Sequence, residues 1–151
     1  MALRFSTGLR TAIAGTLGAG GALANGVMDI YTGSQPVGGD SPATGTLLAT
    51  VTLNGGAFTS GTPTNGLTFL AAVAGELKKS GVWGFTGLAA GTTGWFRFRG
   101  NAADNGLIST TLIRLDGSVG SSGTDLLVPN MVIAIGSYNT INEFTLTFPA
   151  T

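Results

Sequence analysis

Short glycine-rich clusters divide this chain into segments that suit turns and β-strands better than long helices. Glycine accounts for 26 of the 151 residues, more than twice its usual share of about 7%. The glycines lie beside Thr, Ser, Asn and Pro in stretches such as "TGSQPVGGDSPATG", without the three-residue period of collagen. Runs rich in Val, Ile, Leu, Thr and aromatic residues separate the clusters. The pattern predicts an all-β, single-domain β-sandwich of jelly-roll-like type with a short N-terminal helix.

Alternating apolar residues predict where the strands lie. The clearest alternation is in "INEFTLTF" near the end of the chain. In "LISTTLIRL" the alternation is poorer, which indicates a strand buried on both faces or one with a bulge. Strands are expected at residues 26–32, 46–53, 56–59, 67–71, 76–80, 82–86, 93–99, 107–115, 124–128, 131–136 and 141–148.

The first 25 residues differ from the rest in composition. We expect residues 1–25 to form a helix followed by a glycine-rich tether, and residues 26–151 to form the sandwich domain. Leu9, Ile13 and Leu17 recur at helical spacing, which places them on one face. So short a helix is marginal alone, so this face must pack on something. Two hypotheses remain open: the helix covers one end of its own sandwich, or it is an arm that docks on a neighbouring subunit.

The composition argues against most chemistry. The chain contains no cysteine and no histidine, which removes thiol nucleophiles and the commonest metal ligand and general base. Charged residues make up 9%, against about 25% in ordinary domains. The seven carboxylates are spread along the chain, and no local spacing favours a paired-carboxylate site. We therefore expect no enzyme activity, no catalytic residues, no cofactor and no metal site.

Two further features bear on ligands and partners. The stretch from Asp116 to Asp125 superficially resembles a calcium loop, but its spacing favours a turn with Asx-type hydrogen bonds. Seven acidic residues balance seven basic ones, so the basic excess that phosphate contacts require is missing. No run reaches the roughly 20 apolar residues of a membrane-spanning helix. Neither nucleic acid nor membrane is an expected partner.

The stretch "GTTGWFRFRG" holds the most distinctive side chains. On a strand, Phe96 and Phe98 point to one face, and Trp95, Arg97 and Arg99 point to the other. The Phe pair then belongs to the core. The opposite face is either wet or, because Trp and Arg are enriched at binding hot spots, an anchor for another protein. The interface candidates are therefore Trp95, Arg97 and Arg99, together with Leu9, Ile13 and Leu17.

The chain resembles a group of small virion-associated proteins of tailed bacteriophages. The resemblance rests on "FSTGLRTAIAG", "GVMDIYTGSQP", "DSPATGTLLATVTL", "GTTGWFRF" and "LDGSVGSSGTDLLVPN", which run in the same order over nearly the whole chain. It implies a structural virion protein on the capsid surface, a decoration (cement) protein that binds the major capsid protein. By analogy with cement proteins at local three-fold positions, a homotrimer is expected.

Two other functions stay open at this point. A tail or fibre component could bind carbohydrate if Trp83, Trp95, Tyr31 or Tyr138 were exposed to stack on sugar rings. A hydrolytic virion enzyme would need two carboxylates that meet in a cleft.

Overall fold

Thirteen short strands and two short helices form within residues 3–149, the part of the chain that the computed structural model describes. The helices are α1 (Thr7–Ala14) and α2 (Gly18–Leu23). The strands, in chain order, are β1 (Arg4–Phe5), β2 (Val27–Tyr31), β3 (Leu47–Leu53), β4 (Thr68–Phe69), β5 (Glu76–Ser80), β6 (Trp83–Thr86), β7 (Gly91–Thr92), β8 (Trp95–Arg99), β9 (Arg114–Gly120), β10 (Leu126–Leu127), β11 (Val132–Ile133), β12 (Tyr138–Ile141) and β13 (Thr145–Thr147).

One large sheet carries most of the structure. Its strands run in the order β1-β9-β8-β2-β3-β6-β12, and β10 adds to β9 in parallel. Phe98 on β8 lies between Met28 on β2 and Leu115 on β9, and all three side chains are buried. Phe96, two residues before Phe98, faces the same core. The predicted placement of the two Phe residues in the core is therefore confirmed.

A smaller second layer covers the apolar face of the large sheet. It contains the three-stranded sheet β13-β5-β4 and the two helices. Phe69 from β4 and Phe144, just before β13, pack their rings against Trp83 and Phe98 of the large sheet at centroid distances of 5.4–6.4 Å. The predicted all-β sandwich is confirmed. The two layers are unequal, whereas a jelly roll divides its eight strands between two comparable sheets.

Most predicted strands occur within a few residues of their expected bounds, with two exceptions. Residues 56–59 form no strand, and the strand expected at 107–115 instead spans Arg114–Gly120. β9 contains Gly117, where a Cβ atom would lie 2.6 Å from the Phe96 ring. Glycine is needed there for close packing, whereas the sequence pattern indicated a turn.

The N-terminal segment packs on its own sandwich. Ser6 caps α1 by accepting a hydrogen bond from the Leu9 N–H at 3.0 Å, and its own hydroxyl donates to the Leu112 carbonyl at 2.8 Å. The glycine-rich stretch expected to be a tether is instead the helix α2, which begins at Gly18 and places Leu23 in the core. Residues 3–25 therefore share one core with the strands. Within residues 3–149, no helix is long and apolar enough to cross a membrane.

Leu9 and Leu17 were predicted to share one packing face of the helix, on its own sandwich or on a neighbouring subunit, but the structure separates them. The Leu9 side chain has an exposed fraction of 0%, and the Leu17 side chain has one of 57%.

Leu9→Ala should lower the free energy of unfolding by about 2–5 kcal/mol, because it leaves a cavity in a packed core. Leu17→Ala is the matched control and should change it by less than about 0.5 kcal/mol. Urea denaturation of both variants checks this, and equal losses would contradict the assignment of α1 to the core.

Candidate functional site

Charged residues alternate across the polar face of the large sheet. The registers place Arg4 on β1 beside Asp116 on β9, Asp116 beside Arg97 on β8, and Arg97 beside Asp29 on β2. Neighbouring strands therefore present opposite charges to each other, an arrangement that stabilises cross-strand pairs. Thr50 on β3 continues the row and donates its hydroxyl proton to Asp29 at 2.7 Å. Because the paired residues lie directly opposite each other, their side chains all project from the same face of the sheet and form a continuous row.

The central ion pair of this row is buried. Arg97 donates from Nε and Nη2 to the two carboxylate oxygens of Asp116 at 2.7 and 2.8 Å, and the exposed fraction of Arg97 is 1%. A bidentate pair of this kind fixes both side chains. Arg114 makes a second bidentate pair with Asp104, at 2.7 and 2.6 Å. Both pairs lie away from water, so each charge depends on its partner.

Arg99 makes the third ion pair, at the edge of the buried cluster. Its Nε donates to Asp29 at 2.7 Å, and its side chain has an exposed fraction of 19%. The Arg99 guanidinium also lies over the Phe58 ring, 5.7 Å from its centroid. Arg99 is therefore the one interface candidate of strand β8 that reaches solvent.

Trp95 lies beneath a loop, not on a wet or docking surface. Its ring stacks on Tyr31 at a centroid distance of 4.6 Å, and its indole N–H donates to the Thr44 carbonyl at 3.2 Å. The Arg97 guanidinium, which lies 5.4 Å from the Trp95 ring centroid, also donates to the Ser41 carbonyl at 3.0 Å. The segment between β2 and β3 therefore covers this face. The prediction of Trp95 and Arg97 as exposed interface anchors is wrong for that reason.

The aspartates that complete the cluster were not predicted from the sequence as partners of the arginines, and Asp116 was named only as one end of the stretch compared with a calcium loop. Asp29 lies in "VMDIY" and Asp116 in "RLDGSVG", both strands in which most side chains are buried. A lone acid in such a strand indicates a buried partner of opposite charge, since unpaired charges are rarely buried. Asp104 carries no comparable signal, because it lies in a loop and reaches Arg114 only through the fold.

A small recess, which we call the arginine pocket, opens beside these ion pairs. Its volume is about 220 Å³, and its walls are Asp29, Tyr31, Leu47, Arg97, Arg99, Asp104, Asn105 and Gly106. Arg97, one of these residues, has a guanidinium nitrogen, Nη1, that is buried without a hydrogen-bond partner among the described residues. Buried donors of that kind are rare, and each calls for an explanation.

The pKa values around the pocket reflect burial and pairing. Burial, followed by the nearby Asp29 carboxylate, raises the pKa of Tyr31 to about 12. Burial alone would raise the pKa of Asp104, but the hydrogen bonds from Arg114 and the Gly106 N–H, with the arginine charges, outweigh it and lower the pKa. Burial raises the pKa of Asp116, against the opposing hydrogen bonds and charge of Arg97.

These carboxylates do not resemble a hydrolytic pair. Asp29 and Asp104 both line the pocket, but each is bound to an arginine. A general acid needs a raised pKa, whereas that of Asp104 is lowered. Asp125, the far end of the stretch compared with a calcium loop, accepts hydrogen bonds from the Ser118 N–H and hydroxyl at 2.8 and 2.9 Å. Residues 3–149 contain no group of three or more acidic side chains placed to hold a metal ion.

A second recess, which we call the helix groove, lies where the helices meet β5. Its large apolar side chains are those of Ile13, Leu17, Leu77 and Phe148. Glycines and alanines complete most of its walls, and its volume is about 380 Å³. A neighbouring recess lined by Leu70 and Val73 shares Glu76 with it. Two predicted interface residues, Ile13 and Leu17, are thus brought together here. Leu9 is not, because it is buried in the core.

The aromatic residues that a sugar-binding surface would need are mostly inaccessible. Trp83 and Trp95 are fully buried, and Tyr31 is half-buried against the Trp95 ring. Tyr138, with an exposed fraction of 54%, is left to stack on a ligand. The geometry therefore gives no aromatic platform of the expected kind.

Comparison with protein-family models, curated protein sequences and solved structures found no match.

Removing one member of the central ion pair should be far more costly than removing an exposed one. Arg97→Met should lower the free energy of unfolding by about 3–5 kcal/mol, because it leaves Asp116 charged and buried. The matched control is Lys78→Met, whose partner Glu76 lies 3.0 Å away on the surface, with an expected loss below about 1 kcal/mol. The double variant Arg97→Met with Asp116→Leu should be more stable than Arg97→Met alone. Chemical denaturation measures all three, and a double variant as unstable as Arg97→Met would contradict this account.

The raised pKa of Tyr31 predicts a loss of stability in alkali. The unfolded side chain ionises near 10.0 and the folded one near 12. Unfolding therefore becomes easier as pH rises from about 10 towards 12, and this contribution is fully present below pH 10. The slope of unfolding free energy against pH should flatten in Tyr31→Phe and stay unchanged in the control Tyr138→Phe. Equal slopes in the two variants would show that Tyr31 ionises freely in the folded protein.

Proposed function

We propose that this protein is a structural virion protein of a tailed bacteriophage, a capsid decoration protein that binds the major capsid protein. The proposal joins the sequence resemblance to one structural observation: the surface is poor in charge and carries many large apolar side chains. Fourteen large hydrophobic residues are exposed among those described, whereas Arg97, Arg114, Asp29 and Asp116 are buried. Such a surface favours contact with another protein over exposure to solvent.

Internal pairing is what depletes the surface of charge. The chain has only fourteen charged residues. Six of them, three arginines and three aspartates, neutralise one another in the ion pairs Arg97–Asp116, Arg99–Asp29 and Arg114–Asp104. Interface cores are characteristically depleted of charge. A surface that has already lost much of its charge to the interior needs little further desolvation when it meets a partner.

The helix groove is the surface that we assign to the contact. Its large apolar side chains come from Ile13, Leu17, Leu77 and Phe148. The exposed Leu70 and Val73 extend it. These residues form a wider apolar area than scattered surface leucines would. The partner that fits the resemblance is the major capsid protein, and a second copy of this chain, in a trimer, is the competing occupant.

A rigid, pre-packed protein suits a decorating role. Binding orders few groups when the surface is already fixed by its core, so less entropy is lost on association. A symmetric shell offers many equivalent sites, which makes modest individual contacts effective in combination. No covalent chemistry is required of the chain in this role.

The position in the particle is tested by counting copies. We expect the purified virion to contain this protein in hundreds of copies, in a fixed ratio to the major capsid protein, as quantitative mass spectrometry would measure. A handful of copies per particle would instead place it in the tail or a fibre. Its absence from the particle would overturn the proposal.

The contact surface is tested by co-sedimentation with capsids that lack this protein. Leu17→Asp should weaken binding at least tenfold, because it puts a charge into the apolar groove. Ile108→Asp is the matched control, since Ile108 is also exposed and lies outside the groove residues. Unchanged binding by Leu17→Asp would refute the assignment, and a change in its oligomeric state by analytical ultracentrifugation would point to a second copy as the occupant.

A further inference from the structure

The arginine pocket has the chemistry of a binding site for a carboxylate, a role separate from the proposed function and independent of it. Its walls combine buried charged groups with one apolar side chain, Leu47, and one aromatic ring, Tyr31. A volume of about 220 Å³ is below the roughly 300–1,000 Å³ of pockets that hold drug-sized ligands. The pocket therefore suits a small group.

Hydrogen-bond donors, not acceptors, are left over at this wall. Asp29 accepts from Thr50 through one carboxylate oxygen and from Arg99 through the other. Both oxygens of Asp104 are likewise engaged, by Arg114. Each of these oxygens therefore already has at least one donor, so a ligand that only donates hydrogen bonds would have to share them.

The free donors belong to the arginines and the tyrosine. Arg97 Nη1 is buried and has no partner among the described residues, and Arg99 uses only its Nε in the hydrogen bonds that the structure shows. No hydrogen bond joins the Tyr31 hydroxyl to another described residue, and its raised pKa keeps it protonated. A guanidinium is a donor without acceptor capacity, so these groups require an acceptor-rich ligand.

The charge balance sets how negative that ligand can be. Four arginines (Arg4, Arg97, Arg99 and Arg114) lie with three aspartates (Asp29, Asp104 and Asp116) on this side of the sheet. Arg4 bonds to the carbonyl of Pro36 and forms no ion pair with a described residue, which leaves one positive charge in excess. Asp40 and Arg10, at the margin, cancel each other. The wall itself holds two arginines and two aspartates and is neutral, so the excess charge is that of Arg4, two strands away from Arg97. A single excess charge favours a monoanion over a dianion such as phosphate.

We propose that the arginine pocket binds a carboxylate, held by Arg97, Arg99 and the Tyr31 hydroxyl, with Leu47 against its carbon chain. The carboxylate is either that of a free short-chain acid or the side chain of an Asp or Glu on a partner protein. Both sources present the same two-oxygen acceptor to a guanidinium, which is the geometry that arginine recognises best.

The probe is sodium acetate, titrated into the full-length protein at constant ionic strength while two-dimensional NMR follows the backbone amides and arginine Nε–H groups. We expect saturable shifts at Asn105, Gly106 and the Arg97 and Arg99 Nε–H signals. Sodium chloride at the same ionic strength should leave these signals in place. No saturation with acetate, equal shifts with chloride, or tighter binding of phosphate at pH 8 would each overturn the proposal.

A conservative variant separates binding from folding. Tyr31→Phe keeps the ring that stacks on Trp95 and removes only the hydroxyl, so its acetate Kd should rise about fivefold, the loss of one hydrogen bond. Tyr138→Phe, the matched control at the other tyrosine, should bind acetate as the unaltered protein does. An unchanged Kd in Tyr31→Phe, with its fold intact by circular dichroism, would also overturn the assignment.

The two sources are distinguished by competition. A blocked Gly-Asp-Gly peptide that displaces acetate from the pocket supports the site and assigns it to a partner's acidic side chain. If acetate binds and the peptide does not displace it, the site is supported and is assigned to a free short-chain acid.

Discussion

The buried pair of Arg97 and Asp116 is the interaction on which the polar half of this structure depends. Burying either charge alone would be prohibitive, and together they form a bidentate contact with almost no exposure to water. The same guanidinium then holds the Ser41 carbonyl, and Trp95 beside it holds the Thr44 carbonyl. These two side chains therefore hold the long connection between β2 and β3 against the sheet. The connection depends on such contacts because it contains little regular structure of its own.

This arrangement gives the large sheet two cores of different kinds. One face is a hydrocarbon and aromatic core, in which the rings of Phe69, Trp83, Phe98 and Phe144 meet edge to face, tilted or stacked. The other is a polar core, specified by charges that match strand by strand. An apolar core tolerates exchange of one apolar side chain for another as long as the total volume is kept. A row of opposite charges on adjacent strands instead requires that each residue lie beside its partner, which fixes the register of the strands.

Sequence reasoning located the strands because alternation and glycine punctuation are local properties. The face of Phe96 and Phe98 followed from the same alternation. The opposite face could not be predicted, because what covers Trp95 and Arg97 is a loop more than fifty residues away in the sequence. Local pattern also misplaced β9: Gly117 and Gly120 read as turn residues, yet in the sheet one of them makes room for the Phe96 ring. The helix α2 was missed for a related reason, since its glycines lower helix propensity and only packing of Leu23 in the core offsets that.

The contact of β1 with β9 has a consequence for how the chain acquires this structure. Ser6 accepts a hydrogen bond from the Arg114 N–H, 108 residues further along the chain, and donates one to Leu112. β1 pairs with β9, so the β1 edge of the sheet can form only after β9 has been synthesised. Closing so long a loop is slow, and proteins dominated by such distant pairings fold on the scale of milliseconds to seconds. During synthesis on the ribosome, the segment that ends up capping the core is the first to emerge and among the last to find its place.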